Sequence, residues 1–116
     1  MKQYRSTLEK GARLTIPSEI RDHFDSEETI YMLGIDKKIV LMNENEFRDV
    51  ERRFMEIPYS LEERRAMERL FYSNLFCTRV GKGKIVLPPY LRRRLDGRAV
   101  VFSYKKYGME IVSSDI

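Results

Sequence analysis

Two stretches of the chain superimpose when it is slid along itself by 71 positions. Residues 7–21 fall on 78–92. Thr7/Thr78, Pro17/Pro88 and Arg21/Arg92 are identical, and Arg13/Lys84, Leu14/Ile85, Ile16/Leu87 and Ile20/Leu91 are conservative. The match continues without a gap, setting Ile30-Tyr31-Met32 over Val101-Phe102-Ser103 and Lys38-Ile39-Val40-Leu41 over Met109-Glu110-Ile111-Val112. A repeat constrains the fold more than any single motif, because each copy must build the same unit. A unit of roughly 40 residues is marginal alone, so the two copies are expected to share one pseudo-symmetric core.

Each copy reads alike. A strand ends near residue 8, or near 79, and a short loop follows, Lys10-Gly11-Ala12 or Gly81-Lys82-Gly83. Glycine there supplies the positive φ that a tight hairpin requires. A second strand, 13–16 or 84–87, is stopped by Pro17 or Pro88. A short helix is predicted over 18–24 and 89–95, with Pro89 suited to a first helical position. Two more strands close the unit, 29–33 with 39–42, and 99–104 with 108–112. Between the copies, Asn43-Glu44-Asn45-Glu46 and Ser60-Leu61-Glu62-Glu63 have the form of capping boxes. They predict two helices separated by Pro58, with apolar stripes at Phe47, Val50 and Phe54 and at Leu61, Met67, Leu70 and Phe71. Such stripes are core or subunit interface. The expected fold is α+β, mostly β: residues 1–43 form the first repeat, 44–74 the linking helices and 75–116 the second repeat.

Several function classes are excluded early. One cysteine and one histidine rule out an ordinary His/Cys zinc site, and a histidine-based triad would have to use His23. Cys77 cannot form an internal disulfide, which suits a reducing cytosol, and is expected to be a small core residue. The first residues lack the apolar region of a secretory signal, and no apolar run is long enough to span a bilayer. There is no phosphate-binding loop before Lys-Ser/Thr and no carboxylate pair placed as acid and base. No enzyme activity, cofactor, metal or small-molecule substrate is therefore expected.

Charge points elsewhere. The net +4 is mild, but residues 75–116 hold nine Lys/Arg against three Asp/Glu and residues 1–24 hold five against three, while residues 25–74 are acidic. Basic segments attract polyanions. The basic groups gather at the two equivalent loops: Lys10 and Arg13 with Arg5 on the strand before, and Lys82 and Lys84 with Arg79 before. Arg can grip a phosphate or read guanine O6 and N7, and Lys supplies a looser positive charge. A single basic tip is explained by solubility alone; a second at the matching position removes much of the advantage of that explanation over a nucleic-acid partner. Arg92 matches Arg21 and reads as structural. Arg93 and Arg94 read as solvated face or phosphate contact, and His23 as a surface or capping group.

These residues resemble the MraZ family, whose members carry two AbrB-type swapped-hairpin units. The resemblance covers nearly the whole chain. It rests on Arg13-Leu14-Thr15-Ile16-Pro17 with Arg21, Gly34-Ile35-Asp36-Lys37-Lys38-Ile39-Val40-Leu41, Arg69-Leu70-Phe71-Tyr72-Ser73, and Ile85-Val86-Leu87-Pro88 with Leu91-Arg92. It implies a duplicated swapped-hairpin, AbrB-like β-barrel. It also implies a cytoplasmic, nucleoid-associated transcriptional regulator tied to division genes, which binds repeated promoter elements in double-stranded DNA as a homo-oligomeric ring. The family motif in each loop is an aspartate followed four residues later by an arginine. Glu9 and Arg13 stand there in the first copy, Val80 and Lys84 in the second, and the segment before Lys84 is one residue shorter than usual. The resemblance implies that Glu9 orients Arg13 while Lys10, Lys82 and Lys84 contact phosphates. Rival readings are an antitoxin-like protein-binding module, an assembly-competent paralogue without specific DNA binding, and a self-cleaving decarboxylase. The last needs a Gly-Ser bond, which the sequence lacks.

Overall fold

The computed structural model describes residues 2–24, 29–81 and 83–114. In chain order its elements are β1 (Gln3–Glu9), β2 (Arg13–Thr15), a 3-10 helix (Ser18–His23), β3 (Thr29–Ile35), β4 (Lys38–Met42), α1 (Glu44–Glu56), α2 (Leu61–Ser73), β5 (Leu75–Arg79), β6 (Lys84–Val86), α3 (Pro89–Arg92), β7 (Ala99–Lys105) and β8 (Gly108–Ser113). The eight strands run in the order β5-β3-β4-β8-β7-β1-β2-β6. A bridge between Gly81 and Lys84 brings β6 back beside β5, leaving an antiparallel barrel that is nearly closed.

Copies one and two are interlocked. β1 pairs with β7, and β5 pairs with β3, so the first strand of each copy completes the sheet of the other. β2 pairs with β6 and β4 with β8, again between copies. Neither copy closes without its sister. The two shared ladders mark the pseudo-twofold: equivalent residues Leu14 and Ile85 face each other across β2–β6, and Val40 and Glu110 across β4–β8.

The registers correct the ungapped repeat. Arg13 faces Glu9, while its equivalent Lys84 bridges to Gly81, so Glu9 corresponds to Gly81 at an offset of 72. β2 and β6 keep the offset of 71. The two-residue turns Ile35↔Lys38 and Lys105↔Gly108 correspond at 70. Core packing explains the slip, because a one-residue error in a strand turns its apolar face outward. At the offset of 70, Ile30/Val100, Met32/Phe102, Ile39/Met109 and Leu41/Ile111 coincide, and all eight line the barrel interior. The second copy is thus one residue shorter at its hairpin loop and one shorter again before its third strand.

β3 and β4 are apolar on both faces. Their inward residues join the barrel core, and their outward residues Tyr31, Leu33, Val40 and Met42 form a second cluster with Phe47 of α1. Tyr31 stacks on Phe47 with ring centroids 4.0 Å apart, and Phe71 stacks on Phe54 at 5.0 Å. Both capping boxes form as the sequence predicts, Asn43 with Glu46 and Ser60 with Glu63. Arg64 donates to the carbonyls of Met55 and Ile57, closing the C-terminus of α1. The stripe on α2 is only half used: Phe71 packs on the cluster, whereas Leu61 and Leu70 are 68% and 58% exposed. The predicted helix at 18–24 is a 3-10 turn, and the one at 89–95 is a single α turn. In both, the apolar anchors are buried, Ile20 with Phe24 and Leu91 with Leu95.

Candidate nucleic-acid interface

The β2–β6 ladder carries the candidate site. Its inward side chains, Leu14 and Ile85, are buried in the core. Strand alternation therefore sends Arg13 and Thr15, and across from them Val86 and Lys84, to the outer face. A shallow groove of about 550 Å³ runs beside this face, and Arg13, Arg79 and Lys84 all line it, with Val86 and Gly81. Three of the basic residues singled out by the sequence, from both copies, thus share one surface.

The hairpin tips flank the two ends of the ladder. The first is a three-residue loop in which Gly11 and Ala12 adopt φ of 76° and 57°, with Lys10 exposed at its start. Ala12 tolerates the left-handed conformation because its side chain packs on the core and its carbonyl accepts from Leu87 N–H at 2.9 Å. The pseudo-symmetric bond joins Ile16 N–H to the carbonyl of Gly83, also at 2.9 Å. Gly83 has φ of 75°. Lys82 lies outside the described residues.

Within this face the expected pairing is replaced. Glu9 sits across from Arg13, but its carboxylate accepts Lys84 Nζ on both oxygens at 3.0 Å, and Thr15 Oγ1 at 3.2 Å. The hydrogen bond from Lys84 holds the Glu9 carboxyl below the usual carboxylate range, with smaller pulls from Thr15 and the charge of Arg13. The Arg13 and Arg79 side chains are exposed and have no hydrogen bond or ion pair among the described residues. Arg5 lies elsewhere. It is four residues back along β1, about 14 Å at the strand rise of about 3.4 Å, and lines a separate depression with Ser6, Thr7 and Ala99.

Other sequence expectations resolve clearly. Arg94 is neither solvated face nor phosphate contact. It lies against Gly34 and donates to the Asp36 carbonyl at 2.7 Å and to Asn74 Oδ1 at 2.6 Å. Arg92 is structural, donating to the carbonyls of Leu95 and Gly97. Arg93 is exposed. His23 ties the 3-10 helix to the start of α1 through Glu46 at 2.8 Å. Cys77 is exposed on β5 and not a core residue; partial desolvation pushes its thiol pKa up, which disfavours the nucleophilic thiolate. The sequence did not flag Arg21 as part of this face. Its Nε donates to the Ile16 carbonyl at 2.9 Å, and its guanidinium lies over Gly83, beside the second tip. Among the described residues no cluster could hold a metal ion, and no helix is long and apolar enough to cross a membrane.

The chain is similar in sequence to known proteins. Residues 1–70 match the family described as "MraZ protein, putative antitoxin-like". The chain is 27% identical over 104 residues to the "Transcriptional regulator MraZ" of Carboxydothermus hydrogenoformans, covering 87% of this chain and 72% of the relative. It is 25% identical over 118 residues to the protein of the same name from Caldanaerobacter subterraneus subsp. tengcongensis, covering 100% and 82%. A third of that name, from Desulfitobacterium hafniense, is 30% identical over 104 residues, covering 87% and 72%.

Proposed function

Because this chain belongs to the MraZ family, we propose that it is a transcriptional regulator that grips double-stranded DNA with the outer face of the β2–β6 ladder. The supporting observation is the groove in which Arg13 and Arg79, unpaired among the described residues, stand beside Lys84, with a hairpin tip at each end of the ladder. A two-stranded ribbon fits the major groove, about 12 Å wide. Arg13 reads a base edge, while Lys10, Arg79 and Lys82 provide charge that positions the duplex. Arg5 meets the backbone only at the margin. The acidic helix α1 stays away from the phosphates.

One protomer offers few contacts, so useful affinity requires several acting together. Exposed Met55, Ile57, Leu61, Leu70 and Tyr72 on or between α1 and α2 supply an apolar surface for self-association into a ring. Nothing in this chemistry calls for catalysis, in keeping with relatives named as regulators and not as enzymes.

Selection of bound sequences from a random DNA pool, followed by gel-shift titration at several salt concentrations, tests the reading. Arg13→Ala is expected to cost about 1–3 kcal/mol on the selected site and to relax one base preference. Lys82→Ala is expected to weaken all sequences alike and to flatten the log–log salt slope by about 1. Unchanged affinity for both variants refutes the assignment. Mass photometry that finds a ring indifferent to DNA supports an assembly-only paralogue instead.

A further inference from the structure

We propose that Glu9 is a selectivity residue: by occupying Lys84 it withholds that cation from phosphates and keeps sequence-independent DNA binding weak. This rests on the DNA-binding reading above and deepens it.

The pair joins the two copies. Glu9 belongs to the first and Lys84 to the second, and both Glu9 oxygens lie 3.0 Å from Nζ. Thr15 donates to the same carboxylate at 3.2 Å and helps to fix its position. The side chains are 40% and 44% exposed, so the pair adds little to folding. Its effect is on what approaches the face. A phosphate reaching for Lys84 must displace or endure a carboxylate in direct contact with the ammonium. An arginine aimed at a base edge suffers less, because base edges carry no net charge.

The arrangement has no mirror image. Gly81 occupies the position equivalent to Glu9 in the second copy, and Lys84 occupies that of Arg13. The first copy therefore presents an arginine unpaired among the described residues, and the second a lysine neutralised by its sister. Two tips related by a pseudo-twofold are made chemically unequal by this one cross-copy contact.

The test compares wild type, Glu9→Gln, Lys84→Met and the double variant on a random-sequence duplex and on the site selected from the pool, from 50 mM to 1 M salt. Circular dichroism and melting temperature serve as folding controls. Releasing Lys84 onto one phosphate should steepen the log–log salt slope by about 0.9, which is about an eightfold gain at 0.1 M salt, fading towards 1 M. Glu9→Gln is thus expected to tighten random-duplex binding about eightfold and to narrow the ratio between selected and random DNA. Adding Lys84→Met should cancel that gain. Random-duplex affinity that stays unchanged or falls in Glu9→Gln overturns the proposal, as does a gain that persists in the double variant. Wild-type protein that retains no duplex even at 50 mM salt overturns the DNA-binding reading itself, and this one with it.

Discussion

Leu14→Ala removes three carbons from the point where the copies meet. Leu14 is fully buried, lies opposite Ile85 on the pseudo-twofold, and is flanked in the chain by Arg13 and Thr15 of the candidate face. At about 0.8 kcal/mol per buried carbon, the lost transfer energy is about 2.4 kcal/mol. The cavity adds to this, because β2 is held between β1 and β6 and cannot readily collapse into it, so a total of about 3–5 kcal/mol is expected. In a domain of this size that lowers the melting temperature by roughly 10–20 °C. Urea unfolding should be followed by far-UV circular dichroism and by tyrosine fluorescence. If the copies form one interlocked unit, both probes shift together in a single transition. Two transitions, one of them unmoved by the substitution, would refute interlocking, and a loss below 1 kcal/mol would refute the packing at the axis.

Two further predictions concern the tips and pH. Gly11→Ala and Gly83→Ala both force alanine into φ near +75°, at about 1 kcal/mol or more each. An added Cβ at Gly11 meets open space, whereas at Gly83 it falls 2.7 Å from Arg21 Cζ. Arg21 must then leave the Ile16 carbonyl, so Gly83→Ala should lose about 1 kcal/mol more in chemical denaturation, and equal losses would contradict the seat of Arg21. Stability should also fall at both ends of the pH scale. The carboxyls of Glu44 and Glu63 are held below their ordinary range by hydrogen bonds from Tyr31 and Ser60 respectively. Their contribution is present above the ordinary carboxylate pKa and is lost as pH drops through the lowered values. Tyr31 is raised, chiefly by its hydrogen bond to Glu44, and Tyr90 and Tyr104 chiefly by desolvation, so their contribution is lost as pH climbs past the ordinary tyrosine value. Melting temperature measured from pH 3 to pH 11 checks both limbs, and a flat profile at either end contradicts the corresponding contacts.

What the sequence revealed was local or periodic. Turn glycines, strand-ending prolines and both capping boxes act within a few residues, and they fix β1 through β8 and the starts of α1 and α2 closely. Contacts between distant residues were less legible. Val80 was aligned with Glu9 because the ungapped repeat ignores the one-residue shortening before Lys84 that the family resemblance implied; pairing of Gly81 with Lys84 locates it. Charge type revealed that Arg13, Arg79 and Lys84 belong to basic loops, but not that Glu9 bonds a lysine 75 positions away in place of the arginine opposite it. Arg94 looked solvated within Arg92-Arg93-Arg94. It is recruited because Gly34, having no Cβ, leaves room for a guanidinium to reach Asp36 and Asn74. The amphipathic pattern of α2 could not distinguish Phe71, packed within the protomer, from Leu61 and Leu70, which its own chain leaves exposed.

Strand exchange also bears on how such a duplicated gene can change. Each copy builds half of its sister's wall, so a volume change at Leu14, Met32 or Phe102 is felt by both, and interior positions must co-evolve. Loops and outward side chains carry no such obligation. One tip could shorten, and Gly81 could stand where its sister keeps an acid, while the shared interior held both halves in place. An ancestral pair of identical subunits would have been bound to symmetry; fusion into one chain released the surface from it.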